Sequence, residues 1–494
     1  MNITSKYRSL SVQAKAALWF TICSFLQKGI SFITVPIFTR LMSTEEYGTY
    51  TVYLSWLQIL TIMTSLYLFN GVYDNAMAKY EKQRDEYTSA MQGLTLVITG
   101  AVFALYCFTS GFWEKILNLP KSMILLMFLE ALLSPALSYW SGRQRFEYRY
   151  RILVCVTILQ ALMNPIASLV LIRINGGTAM MRILGIVGVQ ICICVPIIVF
   201  QFCKGKEFFS KEYWGYALRI GIPIVPHYLS GIILNQGDRI MIDKMVGKTE
   251  VALYGLAYDK MVGKTEVALY GLAYSIGMLV QLFISGMNSA LTPWMYSKIK
   301  KGDIRSMRKV LQLLSIVVVG IAVALMLISP ELVLIFGSPK YREAVYVIPP
   351  VAASVFFIFI YNILSMPQFY YEKTQFLMAA SMAAAGANVV LNFIFIRLFG
   401  YIAAGYTTLA CYMLYSVGHY IVSKRILVNE GIQENLMSPG FLVACSAFLI
   451  GASIICNLIF PYRILRYAIL LASAGLVFWK KELLLKTMAD IRKK

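Results

Sequence analysis

Charged residues are scarce in this chain. Asp, Glu, Lys and Arg together make up 14% of its 494 residues, whereas a soluble domain carries roughly 25%. Hydrophobic residues account for 59% of the sequence, and the mean hydropathy is +0.68. Because the shortage of charge extends over the whole length, it excludes an ordinary soluble protein and indicates an integral membrane protein.

Acidic residues are scarcer than basic ones, at 24 against 45, which gives a formal net charge of +21. Such an excess can indicate nucleic-acid binding, but the chain lacks a basic domain or a recognisable nucleic-acid reader motif. Its basic residues form short clusters between apolar runs, which is typical of the positive-inside rule. We therefore expect no nucleic-acid partner.

The chain also lacks a cluster of metal ligands. Its nine cysteines are scattered, nearly all within apolar runs, and its two histidines are His227 and His419. Cys192 and Cys194 are two positions apart, so on a helix they point to different faces and cannot share a metal. We expect no metal, no cofactor and no catalytic residues, and we interpret His419 as a packed or interfacial residue.

Fourteen apolar runs have about the 20 residues that a membrane-spanning helix needs. They lie near residues 16–38, 49–70, 89–112, 122–141, 152–172, 183–203, 215–240, 267–294, 310–330, 344–365, 375–396, 402–423, 437–460 and 464–479. The first run is longer than the apolar core of a cleavable signal, so we expect it to remain as the first span. The sequence predicts an all-α membrane protein of about fourteen helices.

Lys and Arg give these spans an orientation. With the N-terminus placed inside, the inner segments hold about twice as many basic residues as the outer ones, as the positive-inside rule requires. An even number of crossings then places both termini in the cytoplasm. The predicted outer loops are short, which leaves no room for an extracytoplasmic catalytic domain.

A weak long-range repeat divides the chain. Gln144, Asn164, Arg173 and Gly176 recur 224 positions later as Gln368, Asn388, Arg397 and Gly400. Helices 1–6 and 7–12 are therefore predicted to be two copies of one six-helix unit, related by an axis along the membrane normal. We assign residues 1–210 to an N-terminal lobe, 211–430 to a C-terminal lobe, and 431–494 to helices 13–14 with a basic cytoplasmic tail.

A second repeat is local and identical. Residues 243–258 read DKMVGKTEVALYGLAY, and residues 259–274 repeat them without change. Sixteen extra helical residues would lengthen a helix by about 24 Å and rotate the remainder of that helix, which a packed bundle could not accept. We expect the extra copy to lie in the outer loop between helices 7 and 8, with either copy able to begin helix 8.

Polar side chains interrupt the apolar runs, where charge is costly. Lys28 lies in the middle of the first run and shares a helical face with Ser24 and Ser31, and Glu130 lies in the fourth run. The functional interpretation is a water-filled cavity that holds an anionic substrate. The alternative interpretation is structural ion pairs or side chains that extend to the membrane interface.

The seventh run carries a similar stripe. Arg219, His227 and Asp238 fall within one sector of a helix, although two prolines can bend it. Arg219 suits two-point contact with phosphate. Together with Lys28, Ser24, Ser31 and Glu130, Arg219 and His227 form the predicted substrate cavity. Glu130 and Asp238 are the candidates either to pair with the cations or to bind a coupling ion.

Two segments carry a resemblance to a known family. The stretch PIFTRLMSTEEYGTY, from Pro36 to Tyr50, resembles the opening of bacterial polysaccharide biosynthesis flippases, which handle oligosaccharide, O-antigen or capsule repeat units. Asp238, Arg239 and Tyr270 belong to a segment that resembles the second-lobe counterpart. The resemblance extends over essentially the whole chain and places it in the multidrug/oligosaccharidyl-lipid/polysaccharide exporter superfamily.

The resemblance implies a two-lobed fold like that of multidrug and toxin extrusion transporters, not an enzyme. It implies that an undecaprenyl-diphosphate-linked oligosaccharide moves from the cytoplasmic to the outer leaflet of the bacterial inner membrane by alternating access. The implied partners are this lipid-linked substrate, the lipid bilayer, and a polysaccharide polymerase with its chain-length machinery. The duplicated sixteen residues depart from the family pattern.

Two other functions remain open from sequence. A drug or small-cation exporter of the same superfamily would be expected to have an acidic, aromatic cavity, which Lys28 and Arg219 argue against. A membrane polysaccharide polymerase or glycosyltransferase would be expected to have a sizeable outer loop or a cluster of acidic residues. Neither feature is visible in the sequence.

Overall fold

A computed structural model describes residues 12–69, 72–246, 262–371, 373 and 375–479, and this part of the chain is helical without strands. The N-terminal half contains α1 (Val12–Leu41), α2 (Thr44–Ser65), α3 (Val72–Lys79), α4 (Arg84–Phe108), α5 (Ser110–Leu117), α6 (Lys121–Phe146), α7 (Tyr150–Asn175), α8 (Ala179–Gly205) and α9 (Lys211–Met245). The C-terminal half contains α10 (Val262–Gly277), α11 (Leu279–Lys300), α12 (Ile304–Leu327), α13 (Ser329–Phe336), α14 (Ile348–Tyr370), α15 (Gln375–Phe399), α16 (Ala403–Asn429), α17 (Pro439–Ile459) and α18 (Arg463–Trp479).

The long helices coincide with the predicted apolar runs. Among the described residues, eleven helices are long and apolar enough to cross a membrane. The long helices α2, α16 and α18 occupy three more of the fourteen predicted runs, and α10 with α11 together occupy the eighth. The prediction of an all-α membrane protein is confirmed.

Local sequence signals set several helix ends. The Ser43 hydroxyl accepts a hydrogen bond from the backbone N–H of Glu46 at 3.2 Å, so α2 begins at Thr44. The Thr178 hydroxyl caps α8 in the same way through Met181, at 3.3 Å. Such N-caps satisfy backbone donors that the first helical turn leaves unpaired.

The described chain forms two compact units, Met1–Ile232 and Ile233–Lys494. The boundary between these compact units lies inside α9, because the first part of this helix packs on the N-terminal unit. Trp214 donates its indole N–H to the backbone oxygen of Ala90 at 2.9 Å, and the rings of Tyr213 and Tyr80 lie 5.0 Å apart. The second unit includes α17 and α18.

Matching helix ends support the long-range repeat. Gly176 follows the last residue of α7 and Gly400 follows the last residue of α15, and both have positive φ, at 96° and 71°. A positive φ is readily adopted by glycine, which explains this residue at both ends. A short helix, α5 or α13, also follows the third helix of each predicted repeat.

The identical tandem repeat is divided between two helices. The first copy supplies the end of α9 at Met245, and the second copy supplies the start of α10 at Val262, while residues 247–261 lie outside the described part. Asp243 of the first copy and Lys264 of the second form a buried ion pair with an N–O distance of 2.9 Å. In the described part of the chain, the second copy therefore supplies the first residues of helix 8.

Candidate functional site

A polar cavity of about 400 Å³ lies within the N-terminal unit. Three membrane-spanning helices supply its polar lining, namely Ser24 and Gln27 from α1, Ser138, Ser141 and Arg145 from α6, and Thr157 and Gln160 from α7. Hydroxyl, amide and guanidinium groups are costly within a bilayer unless they face water or a ligand. The cavity therefore offers neutral hydrogen-bonding groups and one cation to an incoming molecule.

The structure places the predicted α1 residues on one accessible face. Ser24 lines the cavity, and Lys28 and Ser31 follow it along α1 at spacings that keep them on the same side of the helix. All three side chains are exposed. The predicted polar stripe of the first helix is thus continuous with one wall of the cavity.

Neither α9 candidate of this unit, His227 or Arg219, belongs to the cavity lining. Tyr67 lines the cavity, and its ring packs 4.8 Å from the ring of Tyr228. His227 precedes Tyr228 and is half-buried, whereas Arg219 is exposed about two turns earlier on α9. Their roles in substrate binding remain proposals.

Sequence reasoning missed Arg145, Gln27 and Gln160. It counted Arg145 with the cations of an inner loop, but α6 continues to Phe146 and carries this side chain to the cavity. Gln27 and Gln160 lie inside apolar runs, as Ser24 does. Neither shares a helical face with Lys28, which was the criterion that selected Ser24, so only the polar side chain within an apolar run could have indicated them.

Glu130 is buried on α6 and is held by two neighbouring helices. The Tyr53 hydroxyl of α2 donates to its Oε2 at 2.8 Å, and the Gln190 amide of α8 donates to its Oε1 at 2.9 Å. The predicted pairing of Glu130 with Lys28 or Arg219 is not found among the described contacts. The close uncharged donors satisfy the carboxyl instead, so Glu130 is separate from the polar lining of the cavity.

Asp238 is fully buried in the C-terminal unit, at 0% exposure. Its Oδ2 accepts hydrogen bonds from the Tyr270 hydroxyl at 2.5 Å and the Thr408 hydroxyl at 2.7 Å, and its Oδ1 accepts one from the Asn392 amide at 2.5 Å. Donors from α10, α15 and α16 thus converge on one carboxyl of α9. This arrangement places a polar centre inside the second bundle.

A second layer of oxygen-bearing side chains surrounds this centre. Asn392 also donates to the Asn388 amide oxygen at 3.1 Å, and Thr407 donates to the Asn392 amide oxygen. Carboxylate, amide and hydroxyl oxygens are the ligands that hard cations prefer. With rearranged hydrogen bonds, the Asp238 cluster has the chemistry to take up a proton or a small cation.

Arg239, next to Asp238 in the chain, makes its hydrogen bonds with other groups. Its guanidinium donates to the backbone oxygen of Asn235 at 2.6 Å and to the Gln236 side chain at 2.7 Å, and it lies 4.5 Å from the ring of Tyr274. Asp238 is therefore hydrogen-bonded mainly to neutral groups, and the described contacts do not include the predicted pairing with Lys28 or Arg219.

Comparison with known proteins identifies both the family and the fold. The family model for polysaccharide biosynthesis proteins matches residues 14–300, which is more than half of the chain, and the MatE model matches residues 252–394. An uncharacterized membrane protein of Haemophilus influenzae is 25% identical over 366 residues, covering 70% of this chain and 81% of that protein.

Two kinds of solved structure share the fold. The lipid II flippase MurJ in an inward closed conformation superposes with a TM-score of 0.69 at 13% identity, covering 94% of this chain and all of that one. An inward-facing multidrug resistance MATE transporter of the MOP superfamily superposes with a TM-score of 0.63 at 12% identity, covering 82% and 96%. The predicted MATE-like fold is therefore confirmed. The chain is a multi-pass membrane protein that belongs to the polysaccharide biosynthesis protein family.

Proposed function

We propose that this protein flips an undecaprenyl-diphosphate-linked oligosaccharide repeat unit from the cytoplasmic to the outer leaflet by alternating access. The observation that carries the proposal is the polar cavity of the N-terminal unit, where Arg145 lies among serine, threonine and glutamine side chains. The membership of the polysaccharide biosynthesis family supports it, as does the fold shared with a lipid II flippase.

The cavity lining matches the two polar parts of such a cargo. The guanidinium of Arg145 offers paired donors to a diphosphate, whereas hydroxyl and amide groups such as Gln27 and Gln160 can exchange hydrogen bonds with sugar hydroxyls. Lys28, Ser24 and Ser31 extend this surface along α1, and Arg219 and His227 are further candidates on α9. Glu130, also on α6, is held by Tyr53 and Gln190 outside the cavity lining.

Transport against a gradient needs a driving force, and we assign its coupling to Asp238. The carboxyl is buried among amide and hydroxyl groups that can reorient when a proton or Na⁺ binds. Binding of a cation would change the hydrogen bonds between α9, α10, α15 and α16, which joins ion binding to helix packing. Glu130 is the alternative coupling group. Its carboxyl accepts hydrogen bonds from two side chains, whereas that of Asp238 accepts them from three.

The proposed setting is the bacterial cytoplasmic membrane, with both termini in the cytoplasm. A repeat unit delivered to the outer leaflet would become substrate for a polysaccharide polymerase and its chain-length machinery, which build capsule or O-antigen. The known folds that this chain resembles are those of transporters and flippases rather than enzymes. We propose no chemical step for the protein.

A drug or small-cation exporter is the second candidate, because the MatE model matches residues 252–394 and MATE structures share the fold. The cationic side chain in the N-terminal cavity favours an anionic cargo instead. Accumulation of a cationic dye in cells that lack the gene distinguishes the two. Dye export that depends on this protein, with unchanged lipid-linked sugars, would favour the exporter.

The main experiment is deletion of the gene followed by analysis of lipid-linked sugars in each leaflet. We expect the lipid-linked intermediate to accumulate on the cytoplasmic leaflet and surface polymer to decrease. Unchanged polymer together with unchanged intermediates would reject the flippase proposal.

Complementation with variants then tests the cavity. Arg145→Ala and Lys28→Ala should each lower export about tenfold or more at normal protein levels, because a lost charge-assisted contact costs roughly 1.5–3 kcal/mol. Lys121→Ala is the matched control, since it removes an exposed cation from the opposite end of α6. Wild-type export by both cavity variants would reject the proposed binding surface.

A further inference from the structure

A second charged cavity lies at one end of the N-terminal bundle, outside the proposed transport surface. It has a volume of about 130 Å³ and is lined by the ends of α4, α6, α7 and α8, with Asp85, Arg143, Arg149 and Lys204 as its charged groups. All four helix ends lie on the side that the sequence predicts to be cytoplasmic. Arg143 lines this cavity and Arg145 lines the other, because residues two apart on a helix point to different faces.

Ion pairs hold the cations in place without neutralising them all. Arg143 pairs with Asp85 and places Nε 3.1 Å from an oxygen of Glu147. Lys204 lies 3.4 Å from Asp85, and Arg149 lies 3.1 Å from Glu147. Three cations thus share two carboxylates, so the cluster keeps a net positive charge.

The basic side chains of this cluster keep hydrogen-bond donors that an added anion can use. A guanidinium carries five N–H groups, and the Arg143 contacts to Asp85 and Glu147 use its Nε and Nη1. Arg149 and Lys204 are more exposed, with side chains 58% and 43% accessible. The cavity can therefore receive phosphate oxygens from its open side.

Exposed apolar side chains continue from the cavity along the bundle. Ile152 of α7 and Phe200 of α8 belong to its lining and are 57% and 55% exposed. Leu159 and Ile166 of α7 are 48% and 47% exposed, and they follow Ile152 at intervals of seven residues, which places all three on one helix face. A phosphate in the cavity would thus have an apolar surface beside it that suits acyl chains.

We propose that this cavity binds the headgroup of an anionic phospholipid of the inner leaflet, with its acyl chains against α7 and α8. Basic pockets between membrane helices on the cytoplasmic side are suited to anionic headgroups. A free phosphate would gain nothing from these exposed apolar side chains, which is why we assign the site to a lipid. The bound lipid would add a negative charge to the cluster and link the ends of four helices.

Trp140 provides a local probe, because it lines the cavity. The full-length protein is placed in nanodiscs that contain either brominated phosphatidylglycerol or brominated phosphatidylcholine. We expect stronger quenching of Trp140 by the anionic lipid, measured as the difference between the wild type and Trp140→Phe. Equal quenching by the two lipids would overturn the proposal.

Two variants should shift lipid binding in opposite directions. Lys204→Gln should weaken phosphatidylglycerol binding about fivefold, and Asp85→Asn should strengthen it about fivefold, as expected for one charge near the surface. Lys206→Gln is the matched control, since Lys206 is exposed two residues from Lys204 and is absent from the cavity lining. A general loss of folding would weaken binding in both variants, and it would be detected by size-exclusion chromatography.

A competition experiment determines whether the cavity binds a phospholipid headgroup, free phosphate or a polyprenyl diphosphate. Inorganic phosphate at the same concentration as phosphatidylglycerol should leave Trp140 quenching unchanged, and a polyprenyl diphosphate should displace the phospholipid no better than unlabelled phosphatidylglycerol. Displacement by inorganic phosphate, stronger displacement by the diphosphate, or unchanged binding in both charge variants would each overturn the proposal. Because the readout is lipid binding, its result is independent of whether the protein transports an oligosaccharide.

Discussion

The N-terminal and C-terminal units each contain a buried carboxyl that is hydrogen-bonded to neutral side chains, but the two carboxyls lie on helices that do not correspond in the repeat. Glu130 lies on α6, the fourth helix of the first copy, whereas Asp238 lies on α9, the first helix of the second. Glu130 accepts two hydrogen bonds from neutral side chains, and Asp238 accepts three. The two carboxyls therefore occupy positions that are not equivalent in the two copies of the repeat.

The two copies also carry different residues at equivalent positions of one helix pair. An offset of 224 places Ser168 of α7 over Asn392 of α15, and Gly185 of α8 over Leu409 of α16. In the first copy, a Cβ added at Gly185 would lie 2.5 Å from the backbone of Ser168, so the two helices touch there. In the second copy, Asn392 donates to Asp238.

The pair α7–α8 of the first copy and the equivalent pair α15–α16 of the second copy therefore differ in their contacts. Small side chains bring α7 and α8 together, as is common between membrane helices. In the second copy, Asn392 at the position of Ser168 takes part in the polar network around Asp238 instead. We therefore associate the N-terminal unit with a packed support for the substrate cavity, and the C-terminal unit with coupling.

The largest expected effect tests that assignment directly. Asp238→Asn should lower transport of the lipid-linked oligosaccharide about tenfold to a hundredfold, the range seen when the shell of an ion site is disturbed. Glu130→Gln should cost less, because Tyr53 and Gln190 can still contact the amide. The measurement is flipping in vesicles with and without a proton or Na⁺ gradient. Equal losses in the two variants would remove the distinction between the units.

A second prediction concerns packing in the N-terminal unit. Gly185→Ala should destabilise the protein by about 1–3 kcal/mol, because the new methyl group meets the backbone of Ser168 and overpacks the contact. Gly188→Ala on the same helix is the control, since nothing lies within 4 Å of the added carbon. Thermal unfolding in detergent measures both variants. Similar melting temperatures would show that α7 and α8 do not depend on this close approach.

The smallest effect concerns the last helix of the C-terminal unit. The Arg466 guanidinium of α18 contacts both carboxylate oxygens of Glu331, at 2.8 and 2.9 Å, and Tyr467 donates to Glu331 at 3.0 Å. Partial burial by itself would raise the pKa of Glu331, but the hydrogen bonds from Arg466 and Tyr467 outweigh it and hold the pKa below its ordinary value.

The direction of this shift fixes the sign of the pH effect. A lowered pKa in the folded protein stabilises the attachment of α18 above the ordinary glutamate pKa of about 4.3, and this stability is lost as the pH falls through the lower folded value. We expect the protection of α18 amides from hydrogen exchange, taken relative to their intrinsic exchange rates at each pH, to decrease in acid, and Glu331→Gln to remove most of that pH dependence. An unchanged pH profile in this variant would show that another group is responsible.

Sequence alone determined the membrane class, the order of the helices and the repeat. Long apolar runs must form helices in a bilayer because every backbone polar group needs an internal partner. Glycine at position 176 and again at 400 likewise follows from a local backbone requirement. These features depend on neighbouring residues or on composition, so they are readable without a fold.

Only the tertiary structure decided which polar side chains meet. Glu130 has Tyr53 and Gln190 as partners, 77 and 60 positions away, and Asp238 has Thr408, 170 positions away. Helical periodicity gives the face of a side chain but not the helix that packs against it. Periodicity therefore placed Lys28, Ser24 and Ser31 on one face of α1. Only the packing of α1, α6 and α7 brings Arg145 and Gln160 to the cavity that Ser24 also lines.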